Sequence, residues 1–161
     1  NANIALLTTT AISNLSSSQI QALSSSQFAN LTTDDIADLT SSQYAALTTK
    51  QIMGLDASRV LTLFGGASVS TKISSIPPNA LTKLTSTNSS TLTSAQLAAL
   101  TTAQIPGLSA SVLGSFTTTS TGQIKGLTTA QIAVLTQAQA KALSAAQLNA
   151  LTTTQYSYLH F

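Results

Sequence analysis

The chain has 161 residues, enough for one domain with a sizeable core. Charged residues make up only 6%, against roughly a quarter in an average soluble domain. The six cations (Lys50, Arg59, Lys72, Lys83, Lys125 and Lys141) stand singly, which excludes a basic patch for nucleic acid, and the absence of cysteine excludes a disulfide framework or a thiolate metal site.

Ser and Thr, 51 residues together, take the place of the missing charges and leave a surface that is solvated but carries almost no field. Mean hydropathy is +0.28. No apolar run reaches the roughly 18 residues a membrane span needs, because hydroxyl pairs interrupt every few positions. The chain opens on Asn1 rather than Met, which predicts a product excised from something longer, and no signal peptide is visible.

Along the chain one pattern dominates. Leucine recurs every eight residues from Leu7 through Leu15, Leu23, Leu31, Leu39, Leu47 and Leu55 to Leu63. The stretch 64–75, with Gly65 and Gly66, adds five residues and predicts a kink or elaborated turn; 64–92 as a whole is irregular and reads as a joint between two sub-arrays. A second register runs Ile76, Leu84, Leu92, Leu100, Leu108 and Phe116. Three more residues enter within Thr117–Gly122, and a third register runs Leu127, Leu135, Leu143, Leu151 and Leu159. The consensus is Leu-Thr/Ser-x-x-Gln-Ile-x-x, with Leu100–Gly107 and Leu127–Val134 the clearest copies. Nearly the whole chain, 1–161, is one repeat domain.

A second apolar residue follows most leucines by five positions, as at Ile12, Ile20, Phe28, Ile36, Ile105 and Ile132. Both intervals of the resulting 5, 3, 5, 3 rhythm are odd, so a straight strand would alternate their faces, whereas three residues is about one helical turn. Of the 18 repeat apolar positions before Leu159, 16 are followed by Ser, Thr or Asp, and Gln stands three residues beyond at 10 of them. Ser/Thr-x-x-Gln is a capping box, in which the hydroxyl accepts from the amide three residues on and the Gln side chain reaches back to the cap amide. Recurring in phase, it predicts that each octad starts a helix afresh.

One continuous helix is excluded by geometry: an octad advances about 800°, so the apolar stripe would drift by about 80° per repeat. The predicted fold is therefore all-α, a solenoid of short capped helical turns, one per octad, with a corner at each Leu-Thr. Such stubs persist only by stacking on neighbours. A β-solenoid with bent corners, suited to Thr and Ile, is the alternative. In that alternative the Gln has no clear role.

The unit Leu127–Val134 and its neighbours resemble the octad arrays of very large secreted bacterial surface proteins of adhesin type. The resemblance implies an extracellular or cell-surface structural role, names no ligand, and carries no catalytic residue onto this chain. A similar Leu-Ser/Thr-x-x-Gln rhythm occurs in superhelical helical-repeat proteins, which supports the helical reading.

Candidate chemistry is sparse. His160, beside the chain end, has no partners for catalysis, and the acids Asp34, Asp35 and Asp38 match no calcium-loop pattern, with Asp35 standing where the capping Gln belongs. Phosphate-binding and nucleophile motifs are absent, so no catalytic, cofactor or metal residue is assigned and no enzyme activity is expected. Asn14, Asn30 and Asn88 begin N-x-Ser/Thr sequons, the first two of which fall out of the repeat itself.

The ends carry the functional expectation. Ile4, Leu6 and Leu7 at one end, and Tyr156, Tyr158, Leu159 and Phe161 at the other, are apolar and lie among uncharged neighbours. A free solenoid needs polar caps. The expected partners are therefore further repeats of a longer chain, or other copies stacked head to tail into a filament. The competing expectation is a binding module that uses the Ser/Thr faces for glycan, peptide or ice.

Overall fold

The computed structural model describes residues 8–64, 73–74 and 76–161. Their elements are α1 (Thr9–Ser13), α2 (Ser17–Ala22), α3 (Ser25–Ala29), α4 (Thr33–Ala37), α5 (Ser41–Ala45), α6 (Thr49–Met53) and α7 (Ala57–Phe64). A 3₁₀ segment η1 (Pro78–Lys83), α8 (Ser86–Ser89) and α9 (Ser94–Ala98) come next, then η2 (Ile105–Gly107) and α10 (Ala110–Gly114). The last group is α11 (Gln123–Gly126), α12 (Thr129–Ala133), α13 (Gln137–Lys141), α14 (Ala145–Ala150) and α15 (Thr153–Ser157). No strand occurs among the described residues, and the regular succession of short helices is an all-α repeat solenoid rather than a β-solenoid.

Most octads are built the same way. In the unit beginning at Leu127, Thr128 is extended (φ −74°, ψ 160°) and its hydroxyl accepts from the Gln131 N–H at 3.3 Å, while the Thr128 N–H donates to Gln131 Oε1 at 2.7 Å. Eleven described helices carry this reciprocal box, each worth about 1 kcal/mol to the helix start. After about five helical residues the Leu135 N–H bonds to the Ile132 carbonyl at 3.2 Å, tightening the last turn. Leu151 (ψ 151°) and Thr152 (ψ 159°) show how the corner is made: two consecutive extended residues. No described residue has a positive φ, so the corner needs no left-handed glycine and every octad can carry a side chain there.

Two units depart from the α pattern for a stated reason. Leu100–Gly107, one of the clearest copies in sequence, forms the 3₁₀ segment η2, because Pro106 has no N–H for an i→i−4 bond and disfavours the α region at Ile105. Pro78 sits in the first turn of η1, where the missing N–H costs nothing.

The helices wind into a coil. Helix α5 packs against α2, α6 against α3, α7 against α4 and α15 against α12, each on the third helix before it. The caps Ser16 and Thr40 of one such pair are 40 − 16 = 24 residues apart, whereas Gln43 reaches back 28 and 31 residues to Leu15 and Ile12. One turn of the solenoid thus takes more than three octads and fewer than four. The Leu and Ile positions of every turn point to the axis and merge into one continuous core from Ile12 to Leu159. Of the irregular stretch 64–92, residues 65–72 and 75 lie outside the described residues, and Ile73, Ile76, Ala80, Leu81 and Leu84 belong to that same core.

Candidate functional site: the glutamine ladder and the two solenoid edges

The capping glutamines do more than cap. Gln43, Gln51, Gln104, Gln131, Gln139 and Gln147 are almost wholly buried. Their Oε1 atoms serve their own helix, while Nε2 turns toward the turn below. Gln139 Nε2 donates to the Ile105 and Leu108 carbonyls at 2.9 and 2.6 Å, and Gln147 Nε2 to those of Leu113 and Phe116, both at 2.8 Å. The acceptors belong to the carbonyls that a helix leaves orphaned at its C-terminus. One side chain thus satisfies the start of one helix and the end of another a full turn away.

The spacing of this ladder records the register of the solenoid. It is 31 and 28 residues for Gln43, Gln51 and Gln104. It becomes 34 and 31 for Gln123, Gln131, Gln139 and Gln147, which reach across the three added residues near 117–122. Gln155 returns to 28. The insertion is therefore looped out and leaves the ladder intact. Even its capping pair survives: Thr117 and Gln123, now six apart, still exchange N–H bonds at 3.3 and 3.1 Å.

Departures from Gln follow the same logic. Asp56 and Arg59 replace Thr and Gln together. Asp56 accepts from the Arg59 N–H at 2.8 Å and pairs with the guanidinium, and Arg59 Nε donates to the Leu31 carbonyl at 2.8 Å, 28 residues back. The Arg59 N–H foremost, and then its charge, hold the Asp56 carboxyl below the usual carboxylate range. Asn88 keeps the cap, accepting from the Thr85 N–H at 2.7 Å, but is one methylene shorter than Gln, and its Nδ2 is buried without a partner. Asp35 accepts from the Thr32 N–H and hydroxyl and has no N–H₂ to offer. Val112 stands at the Gln position as a buried apolar residue.

Turns also approach closely near the end of the octad. A methyl group on Gly126 would lie 2.6 Å from Ser94 Cα, whereas on Gly114 its nearest neighbour would be the Ala142 carbonyl at 3.1 Å.

Of the residues expected at the apolar ends, Ile4, Leu6 and Leu7 lie outside the described residues. At the other end Tyr156, Tyr158 and Phe161 are 50%, 46% and 52% exposed, and Leu159 is buried. The Tyr156 and Phe161 rings lie 6.3 Å apart and tilted by 51°. Asp34 and Asp38 are exposed and Asp35 is committed to its cap; no group of three metal-ligating residues exists among the described residues. His160 is exposed. Tyr44, buried with its hydroxyl donating to the Ile36 carbonyl at 2.8 Å, has its phenol pushed well above the usual range by burial. No described helix is long and apolar enough to cross a membrane.

The model of the ALTTAQ repeat family matches residues 1–33. Over that stretch the chain is similar to ALTTAQ repeats, which supports the repeat array. The hexapeptide of that description also stands in full at Ala99–Gln104, beyond the matched residues, and there it spans the Thr101 cap and the Gln104 rung of the ladder. No curated protein and no solved structure matches the chain.

The ladder was missed in sequence because a capping box accounts for only half of the amide. A signal was present: a capping box accepts Glu as readily as Gln, yet this chain contains ten capping glutamines and no glutamate, its four acids all being Asp. Most positions of this set take an amide, which offers an N–H₂ as well as the cap oxygen, although Asp35 and Val112 do without it.

Proposed function

We propose that the chain is an extracellular structural repeat module, a stalk segment or filament subunit that extends along the solenoid axis and stacks end to end, with no catalytic role. The observation that carries this reading is the glutamine ladder, which joins each turn to the one below at nearly every octad and so directs the fold's cohesion along one axis. The exposed Tyr156, Tyr158 and Phe161 support it as a surface at the end of that axis. The resemblance to secreted octad arrays supports the extracellular setting. Electron microscopy of the purified protein with image averaging tests the reading. Fibres with an axial repeat of one subunit are expected; discrete short particles at every concentration would overturn end-to-end stacking.

A second reading, a binding module, is favoured by one feature: an open groove of about 660 Å³ between successive turns, lined by Leu23, Ser24, Thr49 and Lys50 among others. Binding in a glycan array that Lys50→Ala with Thr49→Ala abolishes would establish it.

A further inference from the structure

The ladder is uneven along the axis. Gln43 makes three bonds to the turn below, Gln51 two and Arg59 one. The next two described positions make none. Ala80 stands where the capping Gln of the unit Ile76–Lys83 belongs and has no donor to offer, and one octad on Nδ2 of Asn88 is buried without a partner. Gln96 then makes one bond, to the Phe64 carbonyl at 2.7 Å, and Gln104 makes two. Val112 also lacks a donor, but it stands alone between Gln104 and Gln123, which make two bonds each. Where Ala80 and Asn88 leave the turns unlinked, bridging comes from Lys83 Nζ, which donates to the Met53 carbonyl at 3.0 Å, and from Gln96. Both side chains are only half-buried.

We infer that this interruption is a built-in yield point, a seam that divides the solenoid into two cooperative units, residues 8–64 and 76–161, the first of which opens as a block while the second stays folded. The apolar core does run through the seam, with Ile76, Leu81 and Leu84 buried. Apolar packing is non-directional, however, and tolerates a sliding that a hydrogen bond to a fixed carbonyl does not. In a stack held by nearest-neighbour interfaces, cooperativity divides at the weakest of them. The first unit opens first because it is the smaller and is braced by fewer rungs: Gln43, Gln51 and Arg59, against Gln104, Gln123, Gln131, Gln139, Gln147 and Gln155 in the second. In an array pulled along its axis, such a seam lengthens the chain before the fully laddered turns come apart. The device lies wholly inside the solenoid and needs no particular occupant at either end.

Native-state hydrogen exchange of the full chain, read peptide by peptide by mass spectrometry, tests this. Helices α1 to α7 should share one opening and be at least about ten-fold less protected than α9 to α15. Lys83→Met with Gln96→Glu removes both bridging donors while keeping the lysine's apolar stem and an oxygen for the Thr93 cap. It should lower the protection of α1 to α7 by a further factor of about ten and leave α12 to α15 unchanged. Protection in α6 and α7 equal to that of α9 to α15, whether uniform along the chain or declining only toward α1 as end fraying would give, would overturn the seam. So would a loss in the double variant that both units share equally, or that is absent from the first.

Discussion

Gln131 Nε2 lies 2.6 Å from the carbonyl oxygen of Leu100, 31 residues earlier in the chain, while Oε1 of the same amide accepts from the Thr128 N–H at 2.7 Å. That contact links a local motif to the superhelix. It also sets a difference between interior and edge glutamines. Gln131→Glu should keep the cap but set a buried carboxylate against the Leu97 and Leu100 carbonyls, at a cost of about 3 kcal/mol or more. Gln19→Glu, at an exposed residue whose Nε2 has no partner among the described residues, should stay within about 0.5 kcal/mol. Urea unfolding monitored by circular dichroism compares the two, and equal losses would refute the second role of the amide.

Asn88 offers the converse experiment. Its Nδ2 is the described structure's one buried side-chain polar atom without a partner. Asn88→Gln adds the methylene that every working rung has and should stabilise by about 1 kcal/mol, read as a rise in urea midpoint. A fall would mean that the local backbone holds the longer side chain away from the carbonyls.

The Asp56–Arg59 pair predicts a specific acid sensitivity. Asp56 is held below its ordinary value in the folded chain, so the unfolded chain binds more protons between the two values. Its stabilisation is present above about pH 4, the unfolded carboxylate value, and is lost as pH falls through the folded one. Restoring the consensus with Asp56→Thr and Arg59→Gln should keep the Leu31 contact and flatten the thermal-melt dependence below about pH 4 relative to wild type. An unchanged slope would show that the pair contributes nothing measurable, as exposed ion pairs often do.

Deleting Thr119–Thr121 should leave the fold intact. It returns Thr117 and Gln123 to the ordinary three-residue spacing, and the pair already exchanges both capping bonds across the longer loop. A melting temperature equal to or above wild type is expected, since the shorter loop costs less to close. Gly126→Ala, by contrast, should lose about 1–3 kcal/mol, because its methyl would press on the Ser94 backbone and not on a flexible side chain. A deletion that unfolds the chain, or a harmless alanine at Gly126, would contradict the turn-to-turn register.

The sequence by itself determined what happens within eight residues. The Thr/Ser-x-x-Gln boxes start each helix, the Leu and Ile positions supply the core, and the odd 5, 3 rhythm rules out a straight strand. These signals are local, and the structure honours them from Ser16 to Gln155. Pro106 was equally local, yet its effect in shortening a clear repeat copy to a 3₁₀ turn went unread. Only the tertiary structure decided how many octads make a turn, and hence which carbonyls each Gln Nε2 meets. A reach of 28 to 31 residues comes from the summed bend of several corners, each fixed by backbone angles that vary a little from unit to unit. The same winding leaves Asn88 one methylene short, lets Arg59 stand in for Gln, and sets Gln19 and Gln27 on an open edge while their counterparts in the next turn are buried.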